Sequence, residues 1–110
     1  LRIGDFTCGS VGIRMCIGNT KTGGKCAFKD EKLIVSVSDF HISVKNPNHT
    51  YRLDILDDSD IVYSQEISCD KKNYAAIGTR DSAFYRAEVW DTTAGIRIAI
   101  GNPIWNEVRL

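Results

Sequence analysis

Residues 83–91, Ala-Phe-Tyr-Arg-Ala-Glu-Val-Trp-Asp, carry the pattern that decides the fold. Tyr85, Ala87 and Val89 fall on one side of an extended chain, and Phe84, Arg86, Glu88 and Trp90 on the other. Side chains alternate across a strand, so this period of two predicts a half-buried β-strand. A helix would scatter both sets around its circumference. Downstream, Asp91-Thr-Thr-Ala-Gly-Ile96 sets a glycine where a hairpin loop needs positive φ. Ile96, Ile98 and Ile100 then resume the alternation, with all three expected on one face.

The same pattern extends upstream. Val11, Ile13, Met15 and Ile17 form one apolar face, and Leu33, Val35 and Val37 alternate with Ile34, Ser36 and Ser38. A short run at Ile42–Lys45 precedes the breaker Asn46-Pro-Asn-His-Thr50. Tyr51, Leu53 and Ile55 oppose Arg52, Asp54 and Leu56, and Ile61 and Tyr63 oppose Val62 and Ser64. That makes about seven strands at intervals of about 8–15 residues, and no segment keeps a 3.6-residue period over three turns. Turn chemistry separates them, in Thr20-Lys-Thr-Gly-Gly-Lys25 and Leu56-Asp-Asp-Ser-Asp-Ile61. An open sheet would leave one apolar face wet, so two sheets should pack face to face. The expectation is an all-β, immunoglobulin-like antiparallel β-sandwich of about seven strands, with residues 1–110 as one domain. Residues 1–10 are read as the end of a preceding element.

Lys plus Arg and Asp plus Glu number 14 each, so no global field draws the chain to nucleic acid or to an anionic membrane. Apolar runs fall far short of the roughly 20 residues of a membrane span. No signal-peptide pattern opens the chain, and it begins without Met. The expectation is a C-terminal fragment of a longer, cytoplasmic protein, with room for a homo-oligomer. Cys8, Cys16, Cys26 and Cys69 contain no C-x-x-C pair and match no zinc module. The core needs no staples, so buried free thiols are favoured over two disulfides.

Several stretches invite a chemical reading. Gly18-Asn-Thr-Lys-Thr-Gly-Gly-Lys-Cys26 approaches a P-loop, but Cys26 replaces the magnesium-binding hydroxyl and no helix pattern follows. Asp54, Asp57, Asp58 and Asp60 crowd one turn without EF-hand spacing, and Asp and Ser build such turns by bonding their own backbone. His41 and His49 are the only histidines, too few for a catalytic zinc without help from Cys16 or Asp39. Arg86 beside Glu88 and Asp91 reads as a cross-strand ion pair rather than a base-stacking strip. Trp90 and Trp105 suit a sugar-stacking platform, but core or interface packing is the commoner use of tryptophan. No catalytic residue, cofactor site or metal site is assigned.

The two ends of the chain resemble a known family. Tyr85-Arg-Ala-Glu-Val89, then Ile98-Ala-Ile100, then Asn102-Pro103-Ile104-Trp105, look like the last strands of the C-terminal domain in a branch of the PHP (polymerase and histidinol phosphatase) metal-dependent phosphoesterases. Leu1, Gly4, Phe6 and Gly12 are similar to that family's junction between catalytic and C-terminal domains, with Cys8 where a small or hydroxyl residue is typical. The family's catalysis uses a His-x-His motif and further His and carboxylate ligands to hold divalent metals; this chain has no His-x-His. The resemblance therefore implies a non-catalytic accessory sandwich whose partner is the catalytic domain of the same chain, where the divalent metals would sit. Asn102, Pro103, Ile104 and Trp105 are the expected domain interface, with Pro103 marking where strand pairing stops. A stand-alone carbohydrate-binding module and an immunoglobulin-like surface domain are the alternatives.

Overall fold

In the computed structural model, residues 7–9, 11–17, 20–21, 25–26, 32–79, 82–101 and 103–106 are described. They form eleven strands: β1 (Thr7–Gly9), β2 (Gly12–Ile17), β3 (Thr20–Lys21), β4 (Lys25–Cys26), β5 (Lys32–Ser38), β6 (Tyr51–Leu56), β7 (Ile61–Ile67), β8 (Asn73–Gly78), β9 (Phe84–Asp91), β10 (Ile96–Gly101) and β11 (Ile104–Asn106). Seven of these have six or more residues. Four of the long strands, in the order β7-β6-β9-β10, make one sheet, to which β1, β11 and β4 add short pairings. The other three, β2-β5-β8, make the second sheet, with β3 at its edge. The chain is an all-β antiparallel sandwich, as the alternation requires. β7 pairs with β6 rather than with β8, so the fourth long strand belongs to the four-stranded sheet.

The inward faces follow the expected phase. Ile13, Met15 and Ile17 on β2 and Leu33, Val35 and Val37 on β5 are buried, and they face Tyr51, Leu53 and Ile55 on β6 and Tyr85, Ala87 and Val89 on β9. Each fully buried aliphatic side chain contributes roughly 1.5–3 kcal/mol of transfer free energy, which makes these four strands the energetic centre of the fold.

Three local expectations fail. Ile42–Lys45 is a turn, in which the amides of Val44 and Lys45 both donate to the His41 carbonyl at 3.0 Å. Ile42 stands 84% exposed while Val44 packs partly buried against the core, so the two do not share a strand face. Second, β8 has no counterpart in the sequence reading. Its inward residues are Asn73, Ala75 and the partly buried Ile77, while the large Tyr74 faces solvent at 60% exposure. Hydrophobicity separates two faces poorly when the inner one offers a single large aliphatic, Ile77, beside a polar and a small residue, and the outer one an aromatic.

Third, the terminal strand slips. Pairing with β9 shifts by one residue between Arg97 and Ala99, and again between Ile100 and Ile104. The first shift leaves Ile96 53% exposed while Ile98 and Ala99 are both buried, so the three isoleucines do not share a face. The second shift falls at Pro103. Pairing does not stop there: Ile104 opposes Tyr85, Trp105 opposes Phe84, and β11 also runs parallel to β4. A residue without an amide donor is tolerated at a break in the ladder, and here the break lies between β10 and β11, after which β11 resumes pairing with β9. Gly101 precedes it because a Cβ there would stand 3.3 Å from Ile13 Cγ2 of the opposing sheet.

Candidate functional site

The outer face of the four-stranded sheet carries charge where solvent-facing positions normally hold scattered polar residues. Asp54 on β6 and Glu88 on β9 are direct cross-strand partners, and they are only 1% and 5% exposed. Like charges set opposite each other destabilise a sheet, so this pair requires compensation. Arg52 forks onto Asp54, with Nε 2.9 Å from Oδ1 and Nη2 3.0 Å from Oδ2. Ser64 Oγ on β7 donates to the same Oδ1 at 2.7 Å. Glu88 Oε2 takes Nη1 of Arg86 at 2.8 Å and Nη1 of Arg97 at 3.3 Å, while Trp90 Nε1 donates to Oε1 at 3.2 Å. Arg52 closes the array by lying 5.8 Å over the Trp90 ring. The guanidinium and indole groups thus roof the carboxylates. Fork-on-fork geometry makes such hydrogen bonds stronger than those of ordinary surface ion pairs.

This arrangement revises the reading of strand β9. Arg86 does meet Glu88, along its own strand, but Asp91 is engaged elsewhere: His49 Nδ1 lies 2.7 Å from Asp91 Oδ2. Arg52 lies over one face of the Trp90 ring, and the indole N–H is taken by Glu88.

The expected interface residues divide by depth. Ile104 is fully buried in the core, Pro103 is half-buried, and Trp105 is 36% exposed on the outer side. Trp105 meets Phe84 edge-on, with centroids 5.2 Å apart and planes at 61°. Asn102 lies outside the described residues. Phe84 follows Trp90, Glu88 and Arg86 down the outer face of β9, so the aromatic pair extends the charged face toward one end of the sheet.

The remaining motifs are structural in their geometry. Asp57 closes the β6–β7 hairpin: its Oδ1 accepts from the Ser59 amide and hydroxyl, both at 2.8 Å, and from the Asp60 amide at 3.0 Å. Ser82 Oγ reaches Oδ2 at 3.1 Å. Burial raises the Asp57 carboxyl pKa, but these donors outweigh it and hold the group at about 2. Asp58 accepts from the Ala83 amide, Asp60 from the Ile61 amide and Asp54 from Arg52. His41 bonds Ser43, so the two histidines belong to different clusters. Among the described residues no group of three or more His, Cys, Asp or Glu side chains is placed to hold a metal ion.

Burial pushes the Asp91 carboxyl up, yet His49 and the amides of Thr93 and Ala94 bring it below its ordinary value. Cys69 is a buried free thiol, and Cys16 is half-buried on β2. The thiols of Cys8 and Cys26 lie outside the described residues. So do most of the P-loop-like stretch and the junction residues Leu1, Gly4 and Phe6; Lys25 and Cys26 are strand, where a P-loop begins its helix. No helix among the described residues is long and apolar enough to cross a membrane.

Sequence reasoning missed the burial of Asp54 and Glu88. The available signal was charge at matching phase on two neighbouring strands, Arg52/Asp54 and Arg86/Glu88, which becomes meaningful only once β6 and β9 are known to pair. No protein family model, curated protein or solved structure matches this chain.

Proposed function

We propose that the chain is a non-catalytic accessory β-sandwich at the C-terminus of a PHP-type metal-dependent phosphoesterase, and that it packs on or positions the catalytic domain of the same chain. The observation that carries the docking reading is the split within Ile104-Trp105. Ile104 is locked in the core, while Trp105, held against Phe84, offers an aromatic edge on the outer face. A rigid aromatic on a firmly anchored segment is the kind of residue that dominates interfaces, because little side-chain entropy is lost when it docks. The resemblance of the chain ends supplies the partner: a preceding domain that holds the divalent metals and carries the phosphoesterase activity, in a cytoplasmic protein.

The test uses the whole polypeptide that contains this sandwich. Its reading frame upstream of Leu1 should encode a His-x-His motif within the preceding few hundred residues. The double variant Phe84→Ala/Trp105→Ala should then speed proteolytic cleavage between the domains and lower phosphoesterase turnover, while leaving the folding of the sandwich largely intact. An upstream frame without metal-binding histidine motifs refutes the family reading. Unchanged cleavage and turnover in the double variant refute the docking face.

A further inference from the structure

Beyond the aromatic edge, a second surface has the character of a ligand site. A half-open groove of about 630 Å3 lies where β2, the segment after β5 and the β7–β8 loop converge. Four bases line it: Arg14, Lys45, Lys71 and Lys72. Among the described residues, two carboxylates, Asp39 and Asp70, share the lining, although the chain as a whole is neutral. Phe40 and Cys69, both almost fully buried, form an apolar floor. The volume lies within the range of small-molecule sites.

The bases are carried on constrained segments. The loop before β8 is fastened by Asn73, whose side-chain amide donates to the carbonyls of Ser68 at 2.7 Å and Lys71 at 3.1 Å. Its oxygen accepts from the Ser68 amide at 3.1 Å. Lys45 sits in the turn closed on the His41 carbonyl, and Tyr51 Oη pins that turn by donating to the Val44 carbonyl at 2.6 Å and accepting from the Asn46 amide at 2.9 Å. Asp39 holds a positive φ of 57°, a conformation that costs a non-glycine residue free energy and often marks a functional loop.

Lys45, Lys71 and Lys72 are exposed and make no salt bridge among the described residues. Asp70 is engaged by the Ser68 hydroxyl, and Asp39 Oδ2 lies 3.4 Å from the Ser38 hydroxyl. The Ser68 hydrogen bond and then, against some opposition from burial, the charges of Lys45 and Lys71 hold the Asp70 carboxyl below its usual range. A cluster of bases carried on backbone already fixed around a concave surface meets a multiply charged anion without loop ordering, and only the lysine side chains remain to be ordered.

We propose that this groove binds a small phosphoryl-bearing polyanion, held by Lys45 and Lys71, with Arg14 and Lys72 also on its lining. Three of the four lining bases are lysines, which act as point charges and suit terminal phosphoryl oxygens rather than a planar carboxylate fork. The site is independent of the docking face and of the family reading.

Inorganic pyrophosphate is the probe. Titrated into the whole chain at low ionic strength, it should shift the backbone amide resonances of Lys45, Asp70, Lys71 and Lys72 along one saturable curve. Lys45→Ala/Lys71→Ala should weaken that binding by about tenfold or more, since it removes two of the positive charges that meet the anion. Lys32→Ala, at the start of β5 and outside the groove, serves as the control and should leave the affinity unchanged. All the substituted lysines are exposed, so the variants keep the fold, and unchanged melting temperatures will show it. Shifts that spread over all surface lysines without saturating overturn the proposal. So does equal affinity in the double variant and the parent chain.

Discussion

At the scale of single residues, the chain separates side chains that hold the sandwich from side chains that face outward, often at adjacent positions. Ile104 and Trp105 are the sharpest case. Ile104→Ala removes a fully buried side chain beneath Tyr85 and should cost about 2–5 kcal/mol, the range for large-to-small core substitutions. Trp105→Ala forfeits one edge-on ring contact at a partly exposed site and should cost about 0.5–1.5 kcal/mol. Urea unfolding of the two variants measures both. A loss for Trp105→Ala as large as that for Ile104→Ala would mean that the tryptophan serves the core. The same division rules out truncation at Pro103 as a test of docking, since it would remove Ile104 as well and destabilise the sandwich itself.

Among the elements, β8 and the terminal strand show where a two-residue period carries information and where it does not. β2, β5, β6 and β9 were legible because each sets large apolar residues against polar or smaller ones, and only one face of such a strand can be inward. β8 was not, because polar Asn73 and small Ala75 fill two of its three inward positions, with only Ile77 large and apolar, while Tyr74 faces outward. Asn73 is buried for its amide rather than for apolar area: it satisfies the backbone of the loop it closes. Asn73→Ala should therefore cost about 1–3 kcal/mol by removing several hydrogen bonds to part-buried backbone groups. Chemical denaturation will measure the loss, and hydrogen exchange should localise it to residues 68–72. In the terminal strand, slips flank Ile98 and Pro103 and rotate later side chains out of the expected phase, so Ile96 lies outside and Ile104 inside. A slip is a property of the pairing, and a single strand read alone does not reveal it.

For the whole molecule, the carboxylates set the response to acid. Asp57 is held at about 2 against an ordinary 3.8, and Asp91 is lowered as well. A carboxyl whose folded pKa is depressed stabilises the fold fully above its unfolded value, and that stability is lost as pH falls through the unfolded value toward the folded one. For Asp57 the window runs from about pH 4 down to about pH 2, and the contribution amounts to roughly 2 kcal/mol at neutral pH. Urea midpoints measured from pH 7 to pH 2 should fall across that window, and Asp57→Asn should be less stable at pH 7 and show a shallower acid limb. An acid limb of equal depth in Asp57→Asn would show that the hairpin carboxylate has no such role.

The sequence by itself determined the class of the fold, the inward faces of four central strands, the Asp-Ser hairpin turn and the Gly95 turn, which has φ of 73°. Those are local consequences of side-chain alternation and backbone preference, fixed within a few neighbouring residues. Tertiary structure alone decided which sheet β7 joins, that pairing continues beyond Pro103, and that Asp54 and Glu88 face each other beneath arginines. It also brought Arg14, Lys45, Lys71 and Lys72, from three separate parts of the chain, around one groove. Each of these depends on which strands become neighbours, and that is settled by burying both apolar faces at once, a requirement no single segment can express.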